Sequence, residues 1–191
     1  EMGTPLGHVI EELGGGMPAG RAVKYVLSGV SNPVLRAQHL ATPLSYEHME
    51  AIGSGLGTGG FIVFDDRTDP TELASAVSRF LSVESCGQCP ACKLGTQRIT
   101  ELLTEEASVV EAGPLAELSA RLRNVTDSSR CFLPSQEQRL VGSLVPDMRD
   151  PSWRGERRHL HITKNPDLAG DRFGLDQRQA STQPDWTSAD G

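Results

Sequence analysis

Four cysteines dominate the chemistry open to this chain, and three of them fall within seven residues. The run Glu84-Ser85-Cys86-Gly87-Gln88-Cys89-Pro90-Ala91-Cys92 contains Cys-x-x-Cys-x-x-Cys, and Cys131 lies 39 residues beyond Cys92. Cysteines three apart on a tight loop are poorly placed to pair with one another, and a single cysteine remains elsewhere, so a disulfide framework fits badly. A reducing compartment with a metal site fits better. A 4Fe–4S cube presents irons that one short loop can reach with three closely spaced thiolates, while the fourth iron takes a ligand from elsewhere. The spacing therefore predicts one 4Fe–4S cluster held by Cys86, Cys89, Cys92 and Cys131. Gly87 lets the backbone approach the cluster, and loop N–H groups can point at its sulfides, which stabilises the reduced state. Zinc is the competing reading. Structural zinc sites usually use two separated Cys-x-x-Cys pairs, so three successive ligands plus one distant ligand favour iron–sulfur.

Other candidate motifs weigh less. Gly55-Leu56-Gly57-Thr58-Gly59-Gly60 matches Gly-x-Gly-x-x-Gly. A dinucleotide fingerprint needs a strand before it and a helix after it, whereas these glycines precede the apolar run Phe61–Phe64, so they read as a turn-rich approach to a strand. Asp65-Asp66, and Glu105-Glu106 with Glu111, have no histidine at a supporting spacing and read as solvated loops and helix ends. His159-Leu160-His161 reads as an ordinary surface pair.

Outward from the cysteines, the 191 residues suffice for one medium domain or two small ones, and 37% hydrophobic with 5% aromatic residues makes a lean core suited to small modules. A net charge of −7 argues against nucleic acid, whose binders are basic. No apolar run approaches the roughly 20 residues of a membrane span. No basic region followed by an apolar stretch marks a signal peptide, which points to the cytoplasm. Glu1-Met2 runs straight into a helix signal and reads as the start of a fragment.

Three zones are expected. In residues 1–66, Thr4 caps a helix begun by Pro5, with Leu6, Val9, Ile10 and Leu13 on one face and Gly14-Gly15-Gly16 as its stop. Ala22–Leu27 reads as a strand, residues through Pro33 and Pro43 as turns, and Phe61–Phe64 as a buried strand. One helix with few short strands suggests a small α+β unit of β-grasp type. Residues 67–148 carry four helical patterns. The first starts at Thr68-Asp69-Pro70 with Leu73, Val77, Phe80 and Leu81. The second follows the cysteine loop with Ile99, Leu102 and Leu103. The third runs from Pro114 with Leu115, Leu118, Leu122 and Val125, and the fourth from Pro134-Ser135 with Leu140, Val141, Leu144 and Val145. Helices this short must bury their stripes against one another, as in a four-helix bundle. Residues 149–191 are polar and read as an extended C-terminal tail, with Trp153 and Trp186 as candidate surface anchors.

The run ESCGQCPACKLGT resembles the iron–sulfur motif of the flavoprotein (51-kilodalton-type) subunit of NADH–quinone oxidoreductase. Related chains occur in NAD-linked formate dehydrogenases, as the beta subunit, and in NAD-reducing hydrogenases. GLGTGGFIVFDD is similar to the family's glycine-rich lead into a strand, TPLGHVIEELGGG to its ubiquitin-like ligand-binding module, and QRQASTQPDWT to a C-terminal signature of some members. The resemblance covers nearly the whole chain and carries over residue by residue at Cys86, Cys89, Cys92 and Cys131. The family commonly has Pro before and Arg after the third cysteine. Here those positions hold Ala91 and Lys93, with Pro at 90, which exchanges a planar multi-donor group for a point charge.

The resemblance implies a partial β-grasp module followed by an iron–sulfur four-helix bundle, the C-terminal portion of such a flavoprotein. It implies a relay that takes electrons from reduced FMN through the 4Fe–4S cluster towards a quinone-reducing complex. The same relay in a formate dehydrogenase or hydrogenase is one alternative, and a zinc-stabilised interaction module without redox chemistry is another. Nothing in the sequence matches the family's FMN- and NADH-binding domain, so neither FMN nor NAD(H) is expected to bind this chain alone. The implied partners are a small iron–sulfur subunit and a larger iron–sulfur or catalytic subunit, with any membrane attachment through them. The β-grasp module is expected to lack its first strand pair.

Overall fold

The computed structural model describes residues 1–104 and 112–155. Glu105, Glu106, Glu111, His159, His161, Trp186 and most of the expected tail lie outside them. The described chain is a mixed α+β structure with a helical majority. Its first part holds α1 (Leu6–His8), β1 (Val23–Leu27), β2 (Leu35–Arg36), α2 (Tyr46–Ala51) and β3 (Ile62–Asp65). The second holds α3 (Pro70–Glu84), α4 (Pro90–Thr104), α5 (Ala112–Asn124) and α6 (Leu133–Arg149), then a 3-10 turn at Pro151–Trp153.

The first helix departs from the sequence expectation. Thr4 does not cap it, because the Thr4 hydroxyl donates instead to the Glu1 carbonyl at 2.8 Å. After α1 the backbone widens into a π-helical turn over Val9–Leu13, closed by the Gly14 N–H on the Val9 carbonyl at 2.9 Å. Widening the turn carries Leu13 off the apolar face, so it is exposed while Leu6 and Ile10 stay buried.

The three strands form an antiparallel sheet in the order β2-β1-β3. An irregularity between Val23 and Tyr25 breaks the pairing with β3. A bulge of this kind re-aims side chains. Val23 and Val26 join a small core with Leu6, Ile10, Leu35, Leu44 and Met49. Tyr25 and Leu27 join the larger core made by the helices. β3 is an edge strand and half-buried throughout, not the buried strand that its apolar run implies. The stretch expected as turns contains β2, and α2 follows it. Ser45 caps α2 by accepting the His48 N–H. At two and six residues, these elements are too short for periodicity to reveal. The glycine run is the expected turn: Gly57 has φ +60°, and a Cβ there would collide with the Ser28 carbonyl oxygen.

The four long helices match their sequence patterns closely. Asp69 caps α3 through the Thr71 and Glu72 N–H groups, and Pro70 opens it. Packing joins α3 to α4 and α6, and α5 to α4 and α6. Leu73, Val77, Ile99, Leu118, Leu140 and Leu144 lie at its centre with exposures of 1% or less.

Polar contacts tie the sheet to the far end of α6. The Tyr25 hydroxyl donates to Asp147 Oδ2 at 3.1 Å, and Arg36 Nε donates to the same oxygen at 2.9 Å. Arg36 also reaches the Ser143 carbonyl at 2.6 Å. Burial and the Asp147 charge both push the Tyr25 phenol up. Lys24 donates to the Thr68 carbonyl at 2.7 Å and the Trp153 carbonyl at 2.6 Å. Trp153 stacks on Tyr25 with ring centroids 5.7 Å apart, so this tryptophan anchors the chain after α6. Asp65 differs from its sequence reading: it is not solvated but pairs with Arg21 and Arg67 at 3.4 and 3.1 Å.

Candidate cluster site

The site begins where α3 ends. Ser85 is extended and buried, and its hydroxyl donates to the Ser82 carbonyl at 2.7 Å. Lys93 Nζ donates to the Ser82 carbonyl at 2.9 Å and the Ser85 carbonyl at 3.3 Å. The lysine thus sets a positive charge against the negative end of the α3 dipole and ties α4 to the residue before Cys86. Cys86 is exposed. Gly87 follows with φ +81°, a left-handed conformation that glycine adopts without a Cβ penalty. Cys89 is half-buried, and Pro90 opens α4.

Cys92 therefore lies inside the first turn of α4, not on a free loop, and it is buried at 7% exposure. The Thr96 hydroxyl donates to the Cys92 carbonyl at 2.9 Å. Cys131 is exposed, two residues before α6. All four cysteines are free thiols.

The structure brings the other three cysteines near enough to act on Cys92. Burial pushes the Cys92 thiol up to about 11, and Cys131, Cys89, Cys86 and Glu137 add to the rise in that order. Four free cysteines make a soft donor set, and each would serve a metal as thiolate, not thiol. Among the described residues, however, no three of His, Cys, Asp and Glu gather tightly enough for a single metal ion. Four free cysteines are the donor chemistry that would hold a 4Fe–4S cluster.

Behind Cys92 lies a polar network that the sequence reading missed. Glu137 sits in α6 at 0% exposure. The Ser78 hydroxyl lies 2.6 Å from its Oε1 and 2.9 Å from the Thr100 hydroxyl. Thr100 in turn donates to the Thr96 carbonyl at 2.9 Å. Glu137 Oε2 has no hydrogen-bond partner among the described residues. Burial pushes the carboxyl up to about 8, opposed by the Ser78 hydrogen bond. A signal was present: Leu133, Glu137, Leu140, Val141 and Leu144 fall at helical spacing, which puts a glutamate on the apolar stripe.

Comparison with known proteins gives the site a context. Residues 72–151 match the family model described as the NADH-ubiquinone oxidoreductase-F iron-sulfur binding region. The NADH-quinone oxidoreductase F subunit of Mycobacterium bovis is 40% identical over 155 residues, covering 77% of this chain and 34% of the relative. Its counterpart in Streptomyces coelicolor is 34% identical over 165 residues, covering 84% and 35%. The NADP-reducing hydrogenase subunit HndC of Solidesulfovibrio fructosivorans is 36% identical over 103 residues, covering 53% and 21%. Among solved structures, an NAD+-reducing [NiFe]-hydrogenase in the air-oxidised state matches with TM-score 0.63 and 26% identity, over 95% of this chain and 30% of that one. The chain spans about a third of the length of the two NADH-quinone oxidoreductase relatives.

Proposed function

We propose that this chain, whose residues 72–151 match the iron–sulfur binding region of NADH–ubiquinone oxidoreductase F subunits, is the one-electron relay segment of such a flavoprotein. In this reading Cys86, Cys89, Cys92 and Cys131 hold the cluster, and α3–α6 act as a four-helix bundle around it. The match of residues 72–151 to the iron–sulfur binding region, with the four free cysteines inside it, carries the proposal. A 4Fe–4S cluster, when bound, accepts and releases single electrons. The chain's own residues do the rest. Cys92 and its helix shield one side, while Cys86 and Cys131 face solvent, where an electron partner can approach. Lys93 holds the loop and supplies a positive charge beside it.

By the same proposal the segment receives electrons that FMN has taken from NADH in a full-length parent and passes them towards a quinone-reducing complex. Residues 1–66 form the partial β-grasp module, 67–148 the cluster domain and 149–191 the tail. The partners are a small iron–sulfur subunit and a larger iron–sulfur or catalytic subunit, and the setting is the cytoplasm, with membrane attachment through partners. No helix among the described residues is long and apolar enough to cross a membrane. The likeness to an NAD+-reducing hydrogenase and to HndC supports a second reading, the same relay in a hydrogenase.

The test is anaerobic purification with iron, acid-labile sulfide and zinc counted per chain, then electron paramagnetic resonance after dithionite. About four irons and four sulfides with a reduced-cubane signal are expected, and Cys131→Ala abolishes that signal. About one zinc without iron, persisting after reconstitution, would overturn the relay and leave a structural module. The chain alone is expected to bind no flavin and to oxidise no NADH. Tight flavin on the purified chain defeats that part.

A further inference from the structure

Glu137 is unlike an ordinary buried carboxylate. It lies at 0% exposure between α6, α3 and α4, and one of its oxygens has no hydrogen-bond partner among the described residues. Among the described residues no cation answers it. On α4, Arg98 pairs with Glu101 and Glu117, and Lys93 is engaged with the Ser82 and Ser85 carbonyls. On α5, Arg121 pairs with Glu117, and Arg123 is exposed. On α3, Arg79 is exposed, while Glu72 and Glu84 carry no positive charge. Arg36, against the other end of α6, pairs with Asp147, and Arg139 lies over the Phe132 ring. The buried Cys92 thiol is a titratable group that feels the Glu137 charge, as the smallest of the influences on it.

The hydroxyls around Glu137 accommodate either charge state without moving a heavy atom. Each has one proton to give. With Glu137 ionised, Ser78 donates to Oε1 and Thr100 turns to Ser78. With a proton on Oε1, the chain reverses: Glu137 donates to Ser78, Ser78 to Thr100, and Thr100 to the Thr96 carbonyl, all along observed contacts of 2.6, 2.9 and 2.9 Å. The neutral state leaves Oε2 as a plain carbonyl oxygen, for which a missing partner costs less than it does for a charged one. From Thr96 the helix leads straight to the Cys92 carbonyl.

We infer that Glu137 is a proton-accepting tuning residue for the cluster: it binds a solvent proton as the cysteine end gains an electron and releases it as the electron leaves. The inference rests on the cluster reading above. The electron comes from a one-electron donor, dithionite in the test or reduced flavin in a full-length parent, and the proton comes from water. The one bond made is O–H at Oε1, and it breaks when the electron passes on. Added negative charge at Cys92 raises the proton affinity of a carboxyl in the same low-dielectric region, and by linkage a bound proton favours the electron equally. Burial already holds the cluster-free carboxyl near 8, so the sensitive window lies at or above that pH.

The experiment is a redox titration of the cluster-loaded full chain, followed by electron paramagnetic resonance, at steps from about pH 6 to about pH 10, after iron and sulfide are counted. In the wild type the midpoint potential is expected to stay level at low pH, where Glu137 is neutral in both redox states, and to fall as pH rises through the window. Glu137→Gln is expected to stay at the low-pH value throughout. Ser78→Ala, which removes the donor to the ionised form, is expected to move the fall to higher pH. A loaded wild type with a level potential, or a Glu137→Gln variant that keeps the slope, overturns the inference and leaves the relay intact. A chain that takes up no iron overturns both.

Discussion

The two ends of α6 each carry a buried acid, and they treat it in opposite ways. Towards the C-terminus, Asp147 is met by Arg36, by the Tyr25 hydroxyl and by the stacked Trp153 that closes over Tyr25. Towards the N-terminus, Glu137 has a serine on one oxygen and, among the described residues, no hydrogen-bond partner on the other. The first arrangement fixes geometry, because a paired and hydrogen-bonded charge specifies one docking of the sheet on the helices. The second leaves the acid responsive to what happens at Cys92. Complete pairing marks the end that holds the fold, and incomplete pairing marks the end proposed to do chemistry.

The largest break in that comparison comes from the cysteines. Cys92→Ala is expected to abolish the cluster signal completely, whereas Asp147→Ala retains it at reduced thermal stability. Metal analysis and a thermal melt on the same preparations separate the two ends. Loss of the cluster in both would show that the ends are not independent.

Next in size is the pH dependence of the cluster-free chain. The Glu137 carboxyl stands near 8 in the fold against an ordinary value of 4.5. As pH rises past 4.5 the unfolded chain loses this proton first, so Glu137's contribution to stability is complete below that point and is lost as pH climbs through 8. The size is on the order of 4 kcal/mol across the window. Denaturant unfolding at pH 5 and pH 8.5 is expected to show the loss, and Glu137→Gln to remove most of it. An unchanged slope in the variant would locate the titration elsewhere.

Asp147→Ala is expected to cost roughly 3 kcal/mol in the same assay, since it strands Arg36 against the Ser143 carbonyl without its counter-charge. Replacing Arg36 and Asp147 together by apolar residues is expected to recover part of that. Failure to recover would mean that Tyr25, also left without its partner, dominates the joint.

How much of this was legible beforehand follows from element length and from what a pattern can encode. The four long helices stood out because each repeats its apolar stripe over several turns, and the Asp69-Pro70 start is a strong local signal. β2 and α2 did not, because neither is long enough to establish a period. Leu13 was misplaced because a π-turn adds a residue that a 3.6 period does not anticipate. The cysteine spacing pointed to the thiol cluster, yet Cys92 inside α4 rather than on the loop needed the fold. Glu137 stood on the apolar stripe of α6 in plain view, but its neighbours Ser78 and Thr100 come from two other helices, and no single-helix pattern joins them.

Lys93 offers the smallest and finest test of the comparison. It follows a cysteine directly and looks like part of the site, yet both of its hydrogen bonds go to the end of α3. If it serves mainly as a brace, Lys93→Met lowers cluster-free stability by about 1 kcal/mol, the worth of a cation on a helix C-terminus with its hydrogen bonds. If it also serves the cluster through its charge, the midpoint potential of the loaded variant falls, because a nearby positive charge favours the added electron. Lys93→Arg keeps the charge with a different donor geometry and is expected to restore the potential. Both effects are expected. A variant that loses stability with an unmoved potential would place Lys93 with Asp147, as a residue of the fold, and move the boundary between the two ends to Cys92 itself.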